Sequence, residues 1–124
     1  MNKFPLVSVI INCHNGEKFL NKSIQSVINQ TYNNWEIIFW NNKSTDKSEQ
    51  IVRSFKDRRI KYFKSNKFQR LYKTRNLAIK KSKGKYLCFL DTDDLWNKNK
   101  LSAQINLIKK KNCKIIYTNF FIKN

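Results

Sequence analysis

Glycine and proline are nearly missing from this chain, with Gly16, Gly84 and Pro5 the only examples in 124 residues. Two glycines cannot write a Gly-x-Gly-x-x-Gly dinucleotide turn or a phosphate-cradling P-loop, which sets aside the other doubly wound nucleotide-binding proteins. The same scarcity, with 40% hydrophobic and 14% aromatic residues, argues against disorder. Cys13, Cys88 and Cys113 are odd in number and never spaced Cys-x-x-Cys. They imply reduced, buried cytosolic thiols, not a zinc site or a disulfide framework. No apolar run approaches the ~20 residues that span a bilayer. The first residues, MNKFPLVSVIINCHN, lack a small-residue cleavage pattern. The expected location is cytoplasmic, with peripheral contact at the inner membrane face.

Acidic residues are the most informative shortage. There are eight Asp and Glu against 26 Lys and Arg, a net charge of +18. A basic chain of this kind fits a module binding nucleic acid or an anionic membrane. It also fits compositional drift, because 21 lysines stand against 5 arginines and are scattered along the chain. Three of the eight acids, Asp91, Asp93 and Asp94, crowd into LDTDDLW at 90–96. Like charges so close repel one another. A hard divalent cation reverses that cost, since Mg²⁺ and Mn²⁺ take carboxylates together with phosphate oxygens and water. In an extended segment Asp91 and Asp93 would share one side and Asp94 the other. One pair would then face the metal and nucleotide, and the third acid would touch a sugar or cap the next helix.

Hydrophobic periodicity orders the rest. Near-continuous apolar runs at 6–13 and 35–40 predict buried parallel strands. Alternation at 59–63 and apolar runs at 85–90 and 114–122 predict three more. Helical spacing marks 17–29, the segment after Asp46, 71–82 and 97–111. Asp46 with Glu49 resembles a capping box, and Gly84 resembles a helix stop. The β-α-β-α-β-α-β-α-β order predicts an α/β fold: three layers, α/β/α, around a mostly parallel sheet with right-handed crossovers. Ligands of such sheets bind beyond the carboxyl ends of the strands. The polar clusters Asn12–Asn15, Asn41–Asp46 and Asp91–Asp94 all fall there.

Several motifs then occur in one order: Ser26-x-x-x-Gln30-Thr31-Tyr32, Ser44-Thr45-Asp46, Arg75-Asn76-x-Ala78-Ile79, and Gly84-Lys85-Tyr86-x-x-Phe89-Leu90-Asp91 leading into Asp-Thr-Asp. Over essentially its whole length the chain resembles glycosyltransferase family 2, inverting enzymes of the GT-A fold, with a Rossmann-like nucleotide-diphospho-sugar-binding half. The resemblance implies transfer of a sugar from a nucleotide diphosphate-sugar to an acceptor hydroxyl on a glycan, lipid or envelope polysaccharide. It implies Mn²⁺ or Mg²⁺ held by Asp93 and Asp94, with Asp91 beside them at the ribose and diphosphate. Asn12, His14 and Asn15 would line the nucleotide pocket. His14 would stack on the base or serve as a loop residue. Arg75 would neutralise the diphosphate or form a surface ion pair. Asn42 stands where the family commonly has a base-reading Asp, because the usual Asp-Asp-Gly-Ser is here Asn41-Asn42-Lys43-Ser44.

Family members continue well beyond this length. The resemblance therefore makes residues 1–124 the donor-binding N-terminal part, with the acceptor-binding half and the general base beyond residue 124. No Asp or Glu follows Asp94, and inversion needs a base to take the acceptor proton. The competing reading is the non-enzymatic basic module, whose binding would survive loss of all three acids.

Overall fold

A computed structural model describes residues 3–118. Four strands, β1 (Val7–Cys13), β2 (Trp35–Asn41), β3 (Ile60–Lys64) and β4 (Tyr86–Phe89), form one parallel sheet in the order β3-β2-β1-β4. The helices are α1 (Glu17–Ile28), α2 (Ser48–Ser54), α3 (Leu71–Lys81) and α4 (Lys100–Lys111). The central strands are buried on both faces, as their unbroken apolar sequences require. The edge strands β3 and β4 alternate between half-buried and exposed residues.

One sheet face presents Val9, Ile11, Ile37 and Phe39 to Leu20 and Ile24 of α1, Val52 of α2 and Leu101 of α4. The other presents Ile10, Ile38 and Trp40 to Ala78 of α3. Each fully buried aliphatic side chain contributes about 1.5–3 kcal/mol relative to exposure. The result is the three-layer arrangement the alternation predicts. Successive strands step outward from β1 to β3, then the chain crosses back along α3 to place β4 on the far side of β1. The switch point therefore lies between the carboxyl ends of β1 and β4. No described helix is long and apolar enough to cross a membrane.

Four local expectations change. Residues 114–118 are not a strand, and the remainder of the expected 114–122 strand lies outside the described residues. Ile115 and Tyr117 are 87% and 92% exposed, with no ladder partner alongside. The last helix begins at Lys100, not Asn97, because the Asn97 side-chain oxygen accepts the Asn99 amide and forms a turn first. Gly84 does not stop α3, which ends at Ser82. A Cβ on Gly84 would sit 2.5 Å from Ser8 Oγ and 2.6 Å from Ser8 N, so its role is close packing. Finally, Cys13 is buried while Cys88 and Cys113 are half-buried; all three are free thiols.

The glycine shortage has a structural counterpart. The left-handed positions are Asn15 (φ 54), Lys43 (φ 57) and Asn112 (φ 51), and no glycine has positive φ. Asn tolerates this region better than most residues.

Candidate functional site

Leu90 follows β4 and donates its amide to Ile10 of β1, which aims the next residues at the switch point. Residues 91–94 are not extended. The Asp94 amide donates to the Asp91 carbonyl at 3.0 Å and closes a turn. Alternation is thereby lost, and carboxylate oxygens of Asp91, Asp93 and Asp94 all lie within 4.8 Å of one another on the surface. The expectation that Asp94 points away from the other two is corrected by that one hydrogen bond. The helix-capping alternative also falls, since α4 has no acid in its first turn and Asn99 at its N-cap.

The electrostatics of this turn differ from those around Glu49 and Asp57. Among the described residues the ion pairs are Arg53–Glu49 at 3.1 Å and Arg59–Asp57 at 2.7 Å. Hydrogen bonds from those arginines hold Glu49 and Asp57 below the usual carboxylate range. Asp94 moves the other way: desolvation first, then the charges of Asp93 and Asp91, push its carboxyl up. In a chain with 26 cations, three carboxylates are kept together, and among the described residues no cation pairs with them. Oxygen-only donors, close together, exposed and lacking a protein counter-charge, fit a hard divalent ion.

Helix α1 positions this turn. Ser23 is fully buried, and its hydroxyl lies 2.8 Å from the Thr92 carbonyl and 2.7 Å from that of Asp94. One turn on, Ser26 Oγ accepts the Trp96 amide. Gln30 donates to the Asn97 carbonyl at 2.7 Å and accepts the Leu101 amide at 3.0 Å. Tyr32 donates to the Pro5 carbonyl. Ser23 thus frames the acidic turn itself, and Ser26 and Gln30 of the Ser-x-x-x-Gln-Thr-Tyr motif hold the segment from Trp96 to Leu101 that follows it. Ser23 was missed in the sequence; its signal is a polar stripe (Ser23, Ser26, Gln30) running beside the apolar Leu20, Ile24 and Val27 at helical spacing. Gly16 belongs to the same frame, because a Cβ there would stand 2.9 Å from Thr92 Oγ1.

The loops after β1 and β2 are laced together. Asn15 Oδ1 accepts the Thr45 amide at 2.7 Å, and the Asn15 amide donates to Ser44 Oγ. Asp46 accepts the Glu17 amide on one oxygen and the Ser48 amide on the other, while Glu17 accepts the Lys47 amide. Asp46 therefore ties the starts of α1 and α2 together. The capping box with Glu49 does not form, since Glu49 pairs with Arg53 instead. Desolvation alone would raise the Asp46 carboxyl, but its hydrogen bonds from Ser48 and Glu17 outweigh that and hold it low. A depressed carboxylate stabilises the fold above its unfolded pKa of about 4 and loses that contribution as pH falls through the folded value. Asp46→Asn is expected to cost about 1 kcal/mol at neutral pH. Urea unfolding of both proteins should show the difference shrinking on acidification below the ordinary carboxylate range.

His14 and Asn42 meet at the same rim. The Asn42 carbonyl can only accept, so His14 Nδ1 carries the proton in their 2.7 Å hydrogen bond and Nε2 is left as an acceptor. Phe68, from the loop after β3, sets its ring edge-on to His14 with centroids 4.7 Å apart. The Asn42 carboxamide is engaged with the Gln69 backbone, donating at 2.7 Å and accepting at 2.9 Å. It pins the 65–70 loop in place. Neither Phe68 nor this clasp is visible in the sequence.

Asn12 lies on the face of β1 that carries Ile10. Two residues beyond the Ile10–Phe89 pair of the ladder come Asn12 and Asp91. Among the described residues, Asn12 Nδ2 and Arg75 Nε are buried donors without a partner. The Arg75 guanidinium lies 5.1 Å from the Phe89 ring centroid and joins neither of the ion pairs among the described residues. Unsatisfied buried donors are costly. These two, on the α3 side of the switch point, suit an acceptor-rich anion. A concavity of about 560 Å³ lies at the opposite end of the sheet, between Phe4, Tyr32, Asn34 and Ile105; the three acids of the turn are exposed.

The family model described as Glycosyl transferase family 2 matches residues 8–124. The chain is 39% identical over 119 residues to the UDP-Glc:alpha-D-GlcNAc-diphosphoundecaprenol beta-1,3-glucosyltransferase WfgD of Escherichia coli, covering 96% of this chain and 47% of that protein. It is 32% identical to the teichuronic acid biosynthesis glycosyltransferase TuaG of Bacillus subtilis, again over 47% of that protein. The chain thus spans about half the length of these relatives. The structure of S. aureus TarS 1-349 in complex with UDP-GlcNAc superposes with a TM-score of 0.82 at 27% identity, over 86% of this chain and 32% of that one. A mannosyltransferase of Pyrobaculum calidifontis, solved with GDP-Man and Mn2+, shares the fold with a TM-score of 0.78 at 20% identity, over 84% and 32%. These comparisons give no support to a non-enzymatic basic module.

Proposed function

This chain belongs to glycosyl transferase family 2 and has the GT-A fold, and on that premise we propose that residues 1–124 form a donor-binding unit. It takes a nucleotide diphosphate-sugar with Mn²⁺ or Mg²⁺ and presents the sugar to an acceptor hydroxyl. The observation that carries the reading is the unpaired convergence of Asp91, Asp93 and Asp94 at the switch point.

Asp93 and Asp94 are the proposed cation ligands, with Asp91 beside the ribose. The cation, when bound, supplies Lewis-acid stabilisation of charge on the leaving diphosphate. The orphaned donors Asn12 Nδ2 and Arg75 Nε address anionic oxygens of the donor. His14, which donates through Nδ1 to the Asn42 carbonyl, offers its ring to the base, and Asn15 holds the neighbouring loop. Asn42 acts on the base through position, by fixing the loop that carries Phe68. A UDP-sugar is the first donor to test, since the Escherichia coli relatives are named for UDP-Glc and TarS is solved with UDP-GlcNAc. The names of those relatives also point to a lipid-linked diphosphate acceptor. No general base is assigned within this chain. Titration calorimetry of UDP, GDP and UDP-glucose, with Mn²⁺ and with chelator, tests the reading. The expected result is cation-dependent binding with UDP preferred; binding equally strong in chelator sinks it.

A further inference from the structure

Between Asp57 and Asp91 the chain carries 12 Lys and Arg and no Asp or Glu. That span comprises β3, α3 and β4, so these three elements carry charge of one sign. At its start, KFQRLYK (67–73) interleaves three cations with three large apolar side chains. Phe68, Leu71 and Tyr72 are 61%, 53% and 56% exposed, and Lys67, Arg70 and Lys73 are exposed among them. None of these cations joins the ion pairs among the described residues.

Scattered exposed apolar residues need no explanation, but three within five positions inside an acid-free stretch form a patch. Apolar side chains with basic neighbours suit the headgroup boundary of an anionic bilayer. There the apolar groups enter the acyl margin, and the long basic stems keep their charges among lipid phosphates. A protein partner would bring acids to only part of such a surface, whereas a lipid leaflet is anionic throughout. Single-stranded nucleic acid would use the aromatic rings as stacking platforms and leave Leu71 without a role.

The patch is joined to the donor rim. Gln69 is clasped by Asn42, and Phe68 packs on His14. It emerges at the carboxyl end of β3, on the rim that carries the acidic turn. Three inter-strand spacings separate β3 from β4, roughly 14 Å. We propose that residues 67–73 are a docking surface for an anionic bilayer, orienting the donor rim toward a membrane in which the acceptor lipid resides. This rests on the donor-binding reading above, which makes the acidic turn the place where the sugar is held.

The test is co-sedimentation of the protein with vesicles of phosphatidylcholine alone and of phosphatidylcholine mixed with phosphatidylglycerol. Binding to the mixed vesicles only, weakened by salt, is expected. The Leu71→Ser/Tyr72→Ser variant should bind them on the order of tenfold more weakly, and Lys67→Ser/Lys73→Ser should also lose binding. Lys109→Ser/Lys110→Ser, which removes two charges from the end of α4, should bind as the parent does. Asp93→Ala should lose cation-dependent UDP binding yet keep vesicle binding, and the Leu71/Tyr72 variant should do the reverse. Failure of the donor reading is thereby separable from failure of this one. Three results would overturn the docking surface: no preference for anionic vesicles, equal loss on changing Lys109 and Lys110, or vesicle binding displaced by RNA whose own binding needs Leu71 and Tyr72.

Discussion

Asp93→Ala is expected to weaken Mn²⁺-dependent UDP binding by about 100-fold or more, roughly 2.7 kcal/mol, without destabilising the fold. Both halves of that result follow from the same geometry. The Asp93 carboxylate has no ion pair among the described residues. Its charge pushes the Asp94 carboxyl upward, behind desolvation as the larger cause. Its removal costs the native state no contact of its own and relieves repulsion, so the melting temperature should hold or rise slightly. A structural acid behaves oppositely: loss of Asp57 would remove two side-chain hydrogen bonds of Arg59 and leave it only the Asn33 carbonyl and the Trp35 ring. Calorimetry gives the affinity and thermal unfolding gives the stability. A large loss of both together would mean that Asp93 holds the fold and not the ligand. Groups arranged at a cost to stability are characteristic of functional sites.

Gly84→Ala is expected to be among the most destabilising single changes in the chain, by about 3 kcal/mol. The backbone at Gly84 approaches Ser8 closely enough to donate its amide to Ser8 Oγ at 2.8 Å. Ser8 Oγ donates in turn to Glu36 Oε1 at 2.7 Å, and that oxygen also accepts the Lys83 amide at 2.7 Å. Ser8 and Glu36 are buried, so this network satisfies the one carboxylate enclosed by the central strands. A methyl group at 2.5 Å from Ser8 Oγ and 2.6 Å from Ser8 N must displace backbone, because Ser8 is mid-strand in β1. A relaxation that parts Ser8 from Glu36 leaves a buried carboxylate short of a donor. For a domain of this size the melting temperature should fall by about 10 °C or more. A change of only a degree or two would contradict the close-packing role.

The sheet was legible because its signal is local. β1 and β2 are unbroken apolar runs, and only strands covered on both faces can use such runs. The helices show their buried faces at three- and four-residue spacing, as Leu20, Ile24 and Val27 illustrate. The acidic cluster was legible for a different reason: in a chain this basic, three adjacent acids have no compositional explanation. How those acids point was not legible, because a single hydrogen bond from the Asp94 amide converts alternation into convergence. Nor was the clasp between Asn42 and Gln69, which joins residues 27 apart through a loop lacking any periodicity. The capping box at Asp46 looked local and proved tertiary, with Asp46 serving α1 as well as α2. Residues 114–118, the described part of the expected final strand, show the limit of propensity, since a strand forms only where another offers its edge.

On the proposed function the turn at 91–94 holds a divalent cation together with a nucleotide diphosphate. Paramagnetic broadening tests it most directly: Mn²⁺ is titrated, with UDP present, into isotope-labelled protein while backbone amide signals are followed. Signals of residues 90–96 are expected to disappear first, followed by those of 12–16 across the switch point, and Asp93→Ala is expected to abolish the effect. Broadening centred instead on Glu49 or Asp57, or unchanged in Asp93→Ala, would contradict it.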